Sequence, residues 1–178
     1  MRKKLKFYLV GPIQWTEDFM NWRIDLREYL EDQGHEGLLP WGEIYHGKMG
    51  RLVFTKWAKS MSRDDYLGRV RKYFRKYVIK WDIRAVEACD GIIFWLPKDI
   101  PTVGSHGECT LIYYLVHHKK LAKWRASHKK IFVVTTIPAK DLSYWLIGCS
   151  DRIFFNWNEF KAYFGKRFNN KKKKVNNK

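Results

Sequence analysis

Apolar residues fall into two rhythms along this chain, and each rhythm predicts a different element. Three uninterrupted apolar runs, in "KFYLVGPI", "GIIFWL" and "KIFVVTT", have the length and content of strands covered on both faces, as in the middle of a parallel sheet. The first occupies residues 6–10 and is ended by Gly11-Pro12. Helical spacing fills the intervals. Thr16 opens a helix with Glu17 and Asp18 in its first turn, and Phe19, Trp22, Ile24, Leu26 and Leu30 give it an apolar face up to Gly34. "EGLLPW" predicts a short second strand stopped by Pro40. "VIKWDIRAVEACD" is amphipathic, and "GECTLIYYLVHHKKLAKW" supplies a helix between "GIIFWL" and "KIFVVTT". "AKDLSYWLIGCSDRIFFNWNEFKAYF" adds another helix, a last strand "RIFF" and a final helix.

Strand, helix, strand in that order is a βαβ unit, and open α/β folds take their ligands at the carboxyl ends of such strands. The stretch after "GIIFWL" leaves an end of this kind. It reads "TVGSHGECTLIYYL", a glycine-framed loop with a single carboxylate, Glu108, at its joint with the following helix. At 178 residues the chain is expected to form one domain over residues 1–164. A basic, mostly helical insertion at 42–76 interrupts it, and a disordered Lys/Asn-rich tail at 165–178 follows.

Charge narrows the range of partners. Of the net +17, seven charges lie in the last fourteen residues, "GKRFNNKKKKVNNK", which leaves ten in the body of the chain. Between Lys56 and Lys80 there are nine Lys or Arg against Asp64 and Asp65. A field of that sign attracts phosphate, whether on nucleotides, nucleic acid or acidic membranes. With 46% apolar residues and nine Trp, the chain is too hydrophobic to be disordered throughout. Cys89, Cys109 and Cys149 are widely spaced and form no CxxC pair, so reduced thiols in a cytoplasmic setting are expected. The start, "MRKKLKFYLVGPI", imitates a signal peptide, but its apolar run is only about seven residues and no small-residue cleavage site precedes "TED". No apolar run approaches the roughly 20 residues of a membrane span. His117-His118 and the other histidines lack metal-ligand spacing, and neither metal nor cofactor is expected.

A carboxylate at a helix N-terminus is favoured in its charged form by the backbone N–H groups and the helix dipole. Glu108 is therefore expected to be ionised, either as a simple cap or as a nucleophile. Asp82 falls on the helix before "GIIFWL", and Tyr8 on the first strand, three residues before Gly11. Each alone fits a solvated helix residue or a core tyrosine.

With "YLVGPI", "WDIRAVEACDGIIFWLP" and "GSHGE", these three residues make the chain resemble the nucleoside 2-deoxyribosyltransferase family, which includes deoxynucleoside 5′-monophosphate N-glycosidases. The likeness runs from Lys6 to about Phe155, is weak through residues 42–75 and is strongest from Tyr77 to Glu108. It implies a doubly wound, flavodoxin- or Rossmann-like, mainly parallel sheet with flanking helices. It also implies that Glu108 is the nucleophile, that Tyr8 orients it, and that Asp82 contacts the sugar and assists departure of the base. Gly11, Pro12, Ile13 and Gly104 would line the substrate, with Trp15 as a stacking candidate. Ser105 and His106 are further candidates for phosphate or base. Cys109 is read as packing.

The implied reaction is cleavage of an N-glycosidic bond through a deoxyribosyl-Glu108 ester, which is then captured by another base or by water. Where transferases of the family carry an aspartate six residues before the nucleophile, this chain has Thr102. The best match to an asparagine lent by a neighbouring subunit is Ser143. The monophosphate glycosidases have hydroxyl residues at both places, which donate to a 5′-phosphate, although Thr and Ser are also ordinary loop residues. The resemblance further implies a homo-oligomer. Two other readings stay open: a non-catalytic nucleic-acid-binding protein on the same fold, without a recognisable binding motif, and a glycosidase of NAD or ribonucleotides.

Overall fold

In the computed structural model, which describes residues 3–12, 20–40, 51–100, 103–117 and 130–169, five strands pair side by side in the order β2-β1-β3-β4-β5. They are β1 (Lys6–Val10), β2 (Glu36–Leu38), β3 (Gly91–Leu96), β4 (Lys130–Thr135) and β5 (Arg152–Phe154), and every pairing is parallel. The fold is a doubly wound α/β sheet in which the chain moves outward from β1 in both directions.

Alternation along the strands assigns each residue to one face. Phe7 and Leu9 of β1 point to the face covered by α1 (Asn21–Asp32) and α7 (Trp157–Phe168), where they meet Leu26, Leu30, Phe160 and Phe164. Tyr8 and Val10 point to the other face, toward α4 (Ile79–Ala88), α5 (Val103–His117) and α6 (Tyr144–Cys149). The first face is dense with rings: Phe164 lies 5.2 Å from Phe7, 5.3 Å from Phe160 and 4.8 Å from Phe168. Each such buried side chain stabilises the fold by about 1.5–3 kcal/mol relative to exposure.

The end of α7 is tied back to the sheet through His35. Its Nδ1 accepts from Leu5 N–H at 3.2 Å, so the proton sits on Nε2, which donates to the Phe168 carbonyl at 2.6 Å. The start of α7 carries a reciprocal cap. Asn156 Oδ1 accepts from Glu159 N–H, while the Glu159 carboxylate accepts from Phe155 N–H. Ordered helix consequently runs four residues beyond the expected boundary at 164.

The basic stretch is helical, as α2 (Arg51–Ser60) and α3 (Arg63–Tyr73). A π-helical turn, Phe74–Val78, joins α3 to α4. Two expectations are corrected. Ile24, assigned to the apolar face of α1, is 36% exposed, whereas its neighbour Arg23 is wholly buried. The supposed loop 103–106 is the opening of α5, because the sheet end and the packing of Cys109 into the core override its loop character. The expected opening of α1 at Thr16 lies outside the described residues. No described helix is long and apolar enough to cross a membrane.

Candidate active site

Two kinds of carboxylate sit at opposite ends of the sheet. At the amino ends of the strands, Asp90 takes the Lys6 N–H and the Lys3 ammonium, and Asp151 takes the Ile131 N–H and the Lys130 ammonium. These are carboxylates satisfied by donors and cations. At the carboxyl end the company is different. Tyr8, rising from the middle of β1, donates its hydroxyl to Glu108 Oε1 at 3.1 Å. Asp82, on α4, bears on both groups.

The electrostatic consequence corrects the expectation of an ionised Glu108. The residue is the sixth of α5, beyond the first turn where the helix dipole acts. Withdrawal from water, followed by the charge of Asp82, pushes its pKa up to about 8, against opposing effects of the Tyr8 hydrogen bond and the Arg23 guanidinium. Near neutral pH the acid form is favoured. Tyr8 is pushed upward too, first by burial and then by Glu108 and Asp82, so it remains a hydroxyl donor at any working pH. The unit is two carboxyl groups and a phenol that influence one another's titration.

Arg23 is a member of this region that helix periodicity alone does not suggest as functional. Its side chain is wholly buried, and its guanidinium donates to the carbonyls of Gly11 at 2.8 Å and Pro12 at 3.1 Å. It also lies over the Trp22 ring, 4.4 Å from the centroid. It therefore ties the chain leaving β1 to α1 while supplying positive charge toward Glu108. A signal was available: Arg23, Leu26 and Leu30 stand at i, i+3 and i+7, the buried stripe of α1.

The other expected residues divide into three groups. Gly11 and Pro12 are buried at the exit of β1. A side chain on Gly11 would come within 2.6 Å of Trp22 and 3.1 Å of the Trp95 carbonyl, so close packing of the backbone requires glycine there. Gly104, Ser105 and His106 belong to the first turn of α5, and the His106 ring packs edge-on against Phe94 at 5.4 Å. Ser143 stands exposed at the start of α6, whose Trp145 indole N–H donates to Thr110 of α5 at 3.0 Å. Ile13, Trp15 and Thr102 lie outside the described residues. Cys109 packs in the core with its thiol pushed up to about 12, mainly by burial. Among the described residues no group of His, Cys, Asp and Glu could hold a metal ion.

No protein-family model matches the chain, and no curated protein matches it in sequence. In fold it is similar to a 2-deoxyribosyltransferase from the psychrotolerant bacterium Bacillus psychrosaccharolyticus. The TM-score is 0.52 and the identity 14%, over 89% of this chain and 91% of that one. At that identity the likeness is one of fold. The SEFIR domain of interleukin-17 receptor B overlaps 93% of this chain and 96% of its own, at a TM-score of 0.48 and 12% identity, too low a score to carry an argument.

Proposed function

We propose that this chain cleaves the N-glycosidic bond of 2-deoxynucleosides or their 5′-monophosphates, with Glu108 as nucleophile, Tyr8 as its orienting donor and Asp82 as the acid that serves the leaving base. The observation that carries this reading is the Tyr8 hydroxyl 3.1 Å from Glu108, with Asp82 bearing on both, at the carboxyl end of a parallel sheet. The fold likeness to a 2-deoxyribosyltransferase supports the same class of chemistry. The excess of positive charge favours a phosphate-bearing substrate.

Proton transfer among the three side chains gives the reaction its order. As the bond from C1′ to the base nitrogen breaks, its electron pair goes to the base, Asp82 gives the base a proton, and the Glu108 proton passes to Asp82 by way of the Tyr8 hydroxyl that faces both carboxyls. Glu108 is left as a carboxylate facing the positive charge that develops on the sugar, and closes on C1′ as an ester. In the second half, water or another base forms the new bond to C1′ while the ester bond breaks. The Glu108 carboxylate is released, and the proton given up by the nucleophile returns to the pair. Two displacements at one carbon leave the β-configuration unchanged.

The test is to incubate the chain with dAMP, dCMP, dGMP and dTMP, and separately with the matching deoxynucleosides, with and without free adenine, and to separate the products by chromatography. Free base is expected from the monophosphates, and Glu108→Gln is expected to slow its release by about 10³-fold or more. A new nucleoside formed only with added adenine would assign base transfer and remove the phosphate argument for Thr102 and Ser143. No turnover of any of these substrates would overturn the reading.

A further inference from the structure

The helical arm before Asp82 has no part in the chemistry above, yet it carries an unusual charge pattern. Between Asp65 and Asp82 the chain has no acidic residue, while Arg69, Arg71, Lys72, Arg75 and Lys76 follow within eight positions. All five are exposed, on α3 and the π-helical turn after it. Of the apolar residues of the same stretch, Tyr66, Val70, Tyr73 and Phe74 recur at helical spacing and are half-buried, while Leu67 alone is 42% exposed. Part of their cover comes from α2, whose Trp57 meets Tyr73 edge-on at 6.3 Å and lies 5.9 Å from the Arg69 guanidinium. One side of the arm thus packs inward and the opposite side is a cationic strip.

Like charges three and four residues apart weaken a helix by about 0.2–0.5 kcal/mol per pair, so the strip carries a cost in helix stability. Five cations over roughly 10 Å of helix give a charge density close to that of duplex DNA, about one phosphate per 1.7 Å of its axis. An interfacial membrane helix would need a broad apolar side free to enter lipid, and here that side is half-covered by the protein itself.

We infer that the exposed side of α3 and its π-helical extension is a docking surface for the phosphate backbone of nucleic acid. That helix runs without a break into α4, the helix that carries Asp82. The binding does not depend on the glycosidic chemistry, since none of the five cations belongs to the Tyr8, Asp82 and Glu108 unit.

The test measures binding of the full chain to a fluorescently labelled single-stranded 20-mer by anisotropy, over a series of potassium chloride concentrations. Arg71→Gln, Lys72→Gln and Arg75→Gln together are expected to weaken binding roughly tenfold or more and to lower the slope of log K against log salt by about 2. The charge-conserving set Arg71→Lys and Arg75→Lys is expected to keep both affinity and slope, which separates lost charge from lost structure. Glu108→Gln is expected to bind like the parent, so failure of catalysis and failure of docking are read independently. The inference is overturned if the parent does not bind the oligonucleotide, if the triple variant binds like the parent, or if replacing Lys171 to Lys174 by Gln alone removes binding. Tighter binding to phosphatidylserine vesicles than to oligonucleotide at equal phosphate would overturn it as well.

Discussion

The two faces of the sheet use the same strands for different ends. On the α1 and α7 face, the described core residues are almost all rings and aliphatic chains, and His35 has both ring nitrogens satisfied. On the α4 and α5 face, Tyr8 stands where an apolar residue would pack as well, and it brings a phenol to two carboxyl groups in a partly buried setting. Phe7 and Tyr8 are adjacent in sequence, and the pleat alone sends them to opposite sides. Burial on one face stabilises. On the other it raises the free energy of charge, and a charge that is costly without a cationic partner is one that a cationic transition state can relieve.

This contrast can be broken or sharpened by substitution. Phe164→Ala, on the ring-lined face, is expected to lower stability by about 3–5 kcal/mol in denaturant unfolding while turnover per folded molecule stays as it was. A large loss of turnover with no loss of stability would break the division of labour. On the other face, Glu108→Gln is expected to stabilise, by on the order of 5 kcal/mol at most in alkali, at about 1.4 kcal/mol per pH unit between its unfolded and folded pKa values. The native carboxyl, with its pKa pushed up to about 8, binds protons that the unfolded chain has released. Parent stability therefore falls as pH rises from about 4.5 to about 8 and levels above. The advantage of the variant grows across that window, and unfolding midpoints measured at several pH values give the profile. Tyr8→Phe removes one hydrogen bond to a carboxyl and keeps the ring, so kcat/KM is expected to drop about 10- to 100-fold with stability little changed.

Most of the fold was legible because strands buried on both faces leave uninterrupted apolar runs. β1, β3 and β4 stand where "KFYLV", "GIIFWL" and "KIFVVT" predict them. The stretch before Glu108 was not legible. Gly104 and Ser105 read as loop by composition, and only the three-dimensional packing of the sheet end makes them helix. That difference of one turn also moves Glu108 away from the helix start, so its expected ionisation gives way to burial and Asp82. Arg23 escaped because an arginine on a surface helix is ordinarily solvated. Its place in the stripe with Leu26 and Leu30 was visible, but the carbonyls of Gly11 and Pro12 that satisfy it could be known only from the folded chain.

The central claim is that Glu108 becomes covalently attached to the sugar. Rapid quenching of the chain with excess dNMP into acid, followed by intact-mass and peptide mass spectrometry, tests this directly. The account predicts a mass increase of one deoxyribosyl 5′-phosphate on the peptide containing Glu108, absent from Glu108→Gln. An adduct on a different residue, or burst-phase turnover with unmodified protein at every quench time, would contradict it.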